Sequence, residues 1–152
     1  MRVSIKINGS NELRNRLKTL EKSFLDFSSA NKSIGEDLAA YYSGVGFTSQ
    51  GGVFGYKWSR LDLGYAKSKS RQNPGAPPLV KTGTMQDSFK FKADKHGVKV
   101  YNTAPYFKYH QSSEPRSKIP YRPSLGINDA VINIVQATLE QDIAKKIRRA
   151  KL

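Results

Sequence analysis

The chain has 152 residues and a formal net charge of +14, from 26 Lys and Arg against 12 Asp and Glu. This length predicts a single domain over residues 1–152 with a sizeable buried core, and the lack of cysteine excludes disulfides, Cys-ligated zinc and thiol catalysis. No apolar run is long enough to span a membrane and the first residues lack the apolar core of a signal peptide, so we expect a soluble protein without a membrane partner.

The N-terminal residues predict a strand followed by two helices. Residues 2–8 alternate apolar and polar side chains, as a half-buried strand does. An amphipathic helix is predicted from about residue 11 to 28, capped by Ser10 or Asn11, because apolar residues then recur at spacings of three and four. These are Leu13, Leu17, Leu20, Phe24 and Phe27.

A second helix is predicted to begin at Ser33, since Ser33 and Glu36 have the spacing of a capping box. Gly44 and Gly46 are expected to end it. Residues 47–81 are rich in glycine and proline and carry little apolar periodicity, which predicts a long flexible loop.

The second half of the chain predicts a hairpin, an arm and a long helix. Residues 89–93 and 98–100 alternate around the turn "DKHG", which is typical of an antiparallel hairpin. Residues 104–127 form a polar, aromatic segment that leads to a helix capped by Asn128, with its apolar stripe from Val131 to Ile147. The fold class expected is α+β: a small, mainly antiparallel sheet packed against two N-terminal helices and a long C-terminal helix.

Candidate catalytic groups are sparse. His96 lies in the predicted hairpin turn, and His110 is flanked by aromatics where a loop-orienting hydrogen bond explains it better than catalysis. The carboxylates show no acid and base pairing, and the glycines of "QGGVFG" lack the Lys-Ser/Thr ending of a P-loop. We therefore expect no catalytic site, no metal and no cofactor.

The positive charge would attract nucleic acid or an acidic protein surface, and charge alone chooses neither. Aromatic residues interleave with basic ones in residues 54–71, which suits stacking on unpaired bases. An anchor of Phe54 and Trp58 against the core or a neighbouring subunit explains them better, because aromatic residues are common anchors at protein interfaces. The candidate nucleic-acid contacts are Lys67, Lys69, Arg71, Lys145, Lys146, Arg148 and Arg149.

The stretch "IPYRPSLGI", residues 119–127, predicts a stiff arm. Pro120 and Pro123 fix φ on either side of Arg122 and bias their neighbours toward extended backbone. We expect the arm to hold Arg122 for an ion pair or a backbone-carbonyl contact at the root of the last helix. The alternative is a plain connector with Arg122 in solvent.

Four blocks in order resemble the phage virion morphogenesis and tail-completion family. They are "FTSQGGVFGYKWSRL", "PPLVKTGTMQDSF", "APYFKYHQSSEPRSKIPYRPSLGI" and the C-terminal helix, over roughly residues 34 to 147. Two departures occur: Ser124 replaces a bulky apolar residue, and Ser112 and Ser113 replace a glycine. The matching positions are Phe47, Gly55, Trp58, Leu79, Thr82, Gly83, Ser88, Tyr106, His110, Gln111, Pro120, Arg122, Pro123 and Gly126.

The resemblance implies a non-enzymatic structural protein of a tailed phage or prophage, acting at the neck or tail end where head and tail join. It implies a homo-oligomeric ring, such as a hexamer, that contacts tail-tube or head-connector proteins. The expected locations are the virion and, during assembly, the host bacterial cytoplasm. Interface residues are then predicted at Phe47, Phe54, Trp58, Leu79, Tyr106, His110, Gln111, Pro120, Arg122 and Pro123. A basic nucleic-acid-binding module remains the alternative; a small hydrolase lacks a constellation to support it.

Overall fold

The computed structural model describes residues 9–114 and 119–150. Helices and one two-stranded antiparallel sheet make up these residues, so the predicted α+β class is confirmed. The strand predicted at residues 2–8 lies outside the described residues. No helix in the described parts of the chain is long and apolar enough to cross a membrane.

Two helices open the described chain. Helix α1 spans Ser10–Phe24, and its N-cap position is Gly9, with φ +96°, rather than Ser10 or Asn11. Helix α2 spans Ser28–Tyr41. The predicted start at Ser33 is wrong, because Asp26 Oδ1 accepts the N–H of Ser28 at 2.8 Å and allows the helix to begin earlier.

The end of α2 also differs from the prediction. The chain continues from α2 through a π-helical turn, Tyr42–Gly46, and stays helical to Thr48. Gly44 and Gly46 therefore do not stop the helix, because the wider turn absorbs them. This extension carries Tyr42 and Phe47 into the core, where both are buried.

Residues 47–81, here called the central segment, contain more regular structure than the flexible loop that the sequence predicts. A 3₁₀ turn spans Gly52–Phe54 and helix α3 spans Leu63–Gln72. The side chain of Asp62 caps α3 by accepting the N–H groups of Gly64 and Tyr65 at 2.9 and 3.2 Å. Apolar periodicity gives no sign of α3, since this helix is held by its cap and by the inward-pointing Lys69.

The predicted hairpin is confirmed. After the short helix α4, Thr84–Asp87, strand β1 spans Phe89–Ala93 and pairs antiparallel with β2, Val98–Asn102. In the turn, Asp94 Oδ1 accepts the N–H groups of His96 and Gly97 at 2.7 and 3.0 Å. His96 is exposed there, as the turn assignment predicts.

Two further helices follow the hairpin. Helix α5, Phe107–Gln111, lies inside the segment predicted as irregular, and α6 spans Asp129–Arg149. The predicted cap of α6 is confirmed, since Asn128 Oδ1 accepts the N–H of Val131 at 3.0 Å. α2 packs against both strands on one side and against α6 on the other, while α1 packs against α6 rather than against the sheet.

The core lies between α2, the sheet and the segments that follow the π-helical turn. Phe89 is at its centre: its ring stacks on Tyr42 at 5.9 Å and meets Phe47 and Phe107 edge-on at 6.2 and 5.8 Å. Gly35 of α2 lets the ring of Phe91 approach, because a Cβ there would overlap that ring. Helix α2 is therefore seated directly on the hairpin.

Candidate functional site

Residues 119–127, here called the arm, cross the molecule between α5 and α6, and Arg122 joins the arm to the central segment. Its guanidinium donates from Nε and Nη2 to the carbonyl of Ser59 at 3.2 and 3.0 Å, and from Nη2 to Arg60 O at 3.2 Å. Arg122 is only 6 % exposed. The predicted backbone-carbonyl contact is confirmed, but its partners lie in the central segment rather than at the root of the last helix.

Trp58 makes the second connection. Its indole Nε1 donates to Pro123 O at 2.7 Å, and its ring meets Phe47 edge-on at 5.3 Å. Gly51 stands against the indole with φ +77°, and a Cβ at that position would overlap both Trp58 and the carbonyl of Tyr56. The glycine-rich sequence thus gives Trp58 room to reach the arm.

Helix α5 makes the third connection. Gln111 accepts the N–H of Ser124 at its Oε1 at 2.6 Å and donates from Nε2 to Leu125 O at 3.3 Å. One residue earlier, the carbonyl of His110 accepts the N–H of Arg122 at 3.0 Å. Both members of the "HQ" pair therefore hold the backbone of the arm.

The far end of the arm is held by the π-helical turn and by the cap of α6. Tyr42 donates its hydroxyl to Gly126 O at 2.9 Å. Asn128 donates from Nδ2 to Val53 O at 2.7 Å and to the hydroxyl of Tyr41 at 2.9 Å. Hydrogen bonds from three separate segments, namely residues 58–60, α5 and the π-helical turn, thus fix the arm along its length.

The predicted interface residues occupy three environments. Phe47, Trp58, Arg122 and Pro123 are buried inside the chain; Phe54, Leu79, His110 and Gln111 are half-buried; Tyr106 and Pro120 are exposed. The buried members can shape an interface only through the backbone that they hold. The interface role of the whole set stays a prediction.

A cavity of about 680 Å³ opens beside the arm. Arg122 and Lys69 line it together with Tyr65, Leu79 and Tyr106. Lys69 is 4 % exposed and donates its ammonium to the carbonyl of Pro77. Burial, and then the charge of Arg122, lower the pKa of Lys69.

His110 also lines this cavity. Burial lowers the pKa of its imidazole, the charge of Arg122 lowers it further, and the backbone of Pro120 partly opposes them. Its Nδ1 is buried without a hydrogen-bond partner among the described residues. A neutral His110 is therefore the form that this environment favours.

The candidate nucleic-acid contacts divide in the structure. Lys67, Arg71, Lys145, Arg148 and Arg149 are exposed. The predicted nucleic-acid contact at Lys69 is corrected, because the buried ammonium of Lys69 cannot reach the phosphates of a duplex. Lys146 is also engaged: its Nζ lies 2.6 Å from Asp142 Oδ2, 2.6 Å from the carbonyl of Asp26 and 3.6 Å from the centre of the Phe27 ring.

Sequence reasoning missed an uncovered apolar face on α6. Ile127 is 81 % exposed and Ile132 is 50 % exposed. With Val131, Val135, Leu139 and Ile143 they line an open groove of about 450 Å³. The signal was available, because Ile132 is an apolar residue of this helix that does not belong to the predicted stripe, which consists of Val131, Ile134, Val135, Thr138, Leu139, Ile143 and Ile147.

Comparison with protein families identifies a match over most of the chain. The model of the phage virion morphogenesis family matches residues 9–144. The match begins just before α1 and ends in the last two turns of α6, so it includes the arm and every segment bonded to it. No curated protein and no solved structure matches the chain.

Proposed function

Because the chain belongs to the phage virion morphogenesis family, we propose that it is a structural subunit that completes the tail or joins head to tail. The subunit works as part of a homo-oligomeric ring, in contact with tail-tube or head-connector proteins. Its work is assembly, without catalysis. It acts in the virion, after being built in the host bacterial cytoplasm.

The uncovered apolar face of α6 supports self-association most directly. Its groove is lined by apolar atoms almost throughout, with Gln136 and Glu140 at the edge. Contiguous exposed apolar surface rimmed by polar residues marks protein contact surfaces. Leu13 and Leu17 of α1 add more exposed apolar surface on a helix that packs against α6. We infer that neighbouring subunits meet on this side.

Exposed aromatic residues near the arm supply a second contact surface. Tyr56 and Tyr121 meet edge-on at 5.5 Å, and both are exposed. Tyrosine is enriched at the centres of protein interfaces, where its ring gives area and its hydroxyl gives a hydrogen bond. Because hydrogen bonds already fix the arm, Tyr121 is presented to a partner at little further entropic cost.

Light scattering behind a sizing column tests the ring, at low and high salt, with and without double-stranded DNA. The diagnostic variant is Ile132→Glu, which places a charge in the apolar groove. Gln141→Glu is the matched control, because it adds the same charge to the opposite side of the same helix, about two and a half turns further along, where Gln141 is exposed.

A discrete ring-sized species is expected that persists at high salt, forms without DNA, survives Gln141→Glu and dissociates in Ile132→Glu. A monomer that associates only with DNA, and only at low salt, would instead favour the nucleic-acid-binding alternative, since phosphate contacts weaken steeply with salt. A ring that tolerates Ile132→Glu would show that α6 does not form the contact.

A further inference from the structure

The cavity beside the arm carries an unbalanced positive charge. Four cationic side chains and one carboxylate line it: Arg60, Lys69, Lys81 and Arg122 against Asp62. Asp62 is engaged, because its Oδ1 caps α3. Among the described residues, neither Lys69 nor Arg122 makes an ion pair.

Burying two cations side by side without a counter-charge is costly. Lys69 and Arg122 are almost wholly removed from bulk water, and their repulsion contributes to the lowered pKa of Lys69. Backbone carbonyls satisfy part of their donor capacity, namely those of Pro77, Ser59 and Arg60. Carbonyl dipoles do not neutralise the charge, so an anion entering the cavity would be strongly stabilised there.

The remaining walls combine apolar and aromatic residues with the polar side chains of Ser59, Thr82, Thr84 and His110. Leu61, Leu79 and Met85 line them, with Tyr65 and Tyr106 at the sides. Leu79 has φ +64°, a left-handed conformation that branched side chains rarely adopt. Backbone strain of this kind persists where the surrounding structure enforces it, and it clusters at binding sites.

From this combination we propose that the cavity is a docking site for an acidic segment of a partner virion protein, which inserts a carboxylate side chain flanked by apolar residues. The carboxylate meets Arg122 and Lys69 at the base, and the flanking residues pack on Leu79 and Tyr106. The inference rests on the proposed function only in taking the partner from the virion.

Two other occupants fit less well. A DNA duplex is too wide to bring its phosphates to cations that are 4 % and 6 % exposed. A second copy of this chain carries a net charge of +14, so its approach to a cationic cavity is opposed by repulsion. An acidic partner has the complementary charge and gains association rate from it.

The test measures peptide binding by amide chemical-shift titration, in the full chain carrying Ile132→Glu so that self-association through α6 does not interfere. The probes are acetyl-Phe-Glu-Leu-amide and its neutral counterpart acetyl-Phe-Gln-Leu-amide. Lys69→Met removes the buried charge and keeps an unbranched apolar stem. Lys67→Met is the matched control, since Lys67 is exposed on the same helix and does not line the cavity.

The glutamate peptide is expected to bind at least about tenfold more tightly than the glutamine peptide, with shifts centred on Tyr65, Leu79 and Tyr106. Lys69→Met should remove that preference and Lys67→Met should keep it. Equal binding of the two peptides, or unchanged preference in a folded Lys69→Met, overturns the proposal.

Two further results would reassign the occupant. If a short DNA duplex displaces the glutamate peptide, and if Lys69→Met lowers the affinity of the chain for that duplex, the ligand is a phosphate backbone. If the ring formed by the chain with Ile132 intact dissociates in Lys69→Met, the occupant is a second copy. The ring hypothesis is decided by comparing Ile132→Glu with Gln141→Glu, and the cavity hypothesis by comparing Lys69→Met with Lys67→Met, so failure of one is distinguishable from failure of the other.

Discussion

The arm and helix α6 are consecutive in sequence, and their surfaces are organised in opposite ways. The arm is held by donors and acceptors from Ser59, Trp58, Gln111 and Tyr42. The outer face of α6 leaves isoleucines in solvent. Trp58, Gln111 and Arg122, which the sequence analysis singled out, thus hold the subunit together, while the surface best suited to self-association consists of ordinary apolar residues.

This difference has a physical basis. A backbone segment without regular secondary structure needs specific partners for its N–H and C=O groups, so Trp58, Gln111 and Arg122 cannot be exchanged freely. An apolar contact is nondirectional and accepts many side chains of similar size. Recognisable motifs are therefore expected at the arm, even where binding occurs elsewhere.

Among these variants, Arg122→Ala should disrupt the attachment of the arm most strongly. It removes the donors to Ser59 and Arg60 and leaves both carbonyls without this partner. Unfolding in urea should therefore show a free energy of unfolding lower by about 3 to 5 kcal/mol, or the chain should not fold. Arg122→Lys keeps the charge without the planar fork and should recover part of the loss. Stability equal to the unaltered chain would show that Arg122 does not hold the arm.

Gln111→Ala should lower the free energy of unfolding by less, about 2 kcal/mol, because the backbone N–H of Ser124 loses its acceptor and Ser124 is fully buried. Gln141→Ala on the exposed side of α6 should stay within about 0.5 kcal/mol. Equal urea midpoints for the two variants would remove Gln111 from the account of the arm.

The pH dependence of stability isolates His110. Its folded-state pKa lies below the ordinary 6.5, so below that value the unfolded chain binds a proton that the folded chain resists, and stability falls as pH drops from about 7 toward 5. One proton corresponds to a slope of at most about 1.4 kcal/mol per pH unit. His110→Gln should flatten this slope in urea titrations; an unchanged slope would assign it to other groups.

The smallest change in stability is expected on the outer face of α6, at Ile132. Ile132→Glu should change the free energy of unfolding by less than about 0.5 kcal/mol, because the side chain is half exposed. Ile134→Glu, two residues away and packed against the core, should destabilise the chain by about 2 kcal/mol or more. Similar losses for both variants would mean that the outer face is covered within the subunit.

Local patterns in the sequence were reliable where they depended on neighbours in the chain. The hairpin followed from alternation around "DKHG", and the start of α6 followed from Asn128. Helix α3 was missed because its Asp62 cap stands in a glycine-rich stretch without apolar periodicity. The start of α2 was misplaced because the capping-box spacing of Ser33 and Glu36 lies inside the helix, which begins at Ser28 after a turn in which Asp26 accepts the Ser28 N–H.

The sequence by itself determined the family, the α+β class and the hairpin, because short-range periodicity does not depend on distant contacts. Only the tertiary structure decided which side chains the arm meets, that Lys69 points inward, and that α6 leaves an apolar face open. The contacts of Arg122 with Ser59 and of Trp58 with Pro123 join residues more than sixty positions apart. Such pairs are selected by packing, which a linear pattern does not encode.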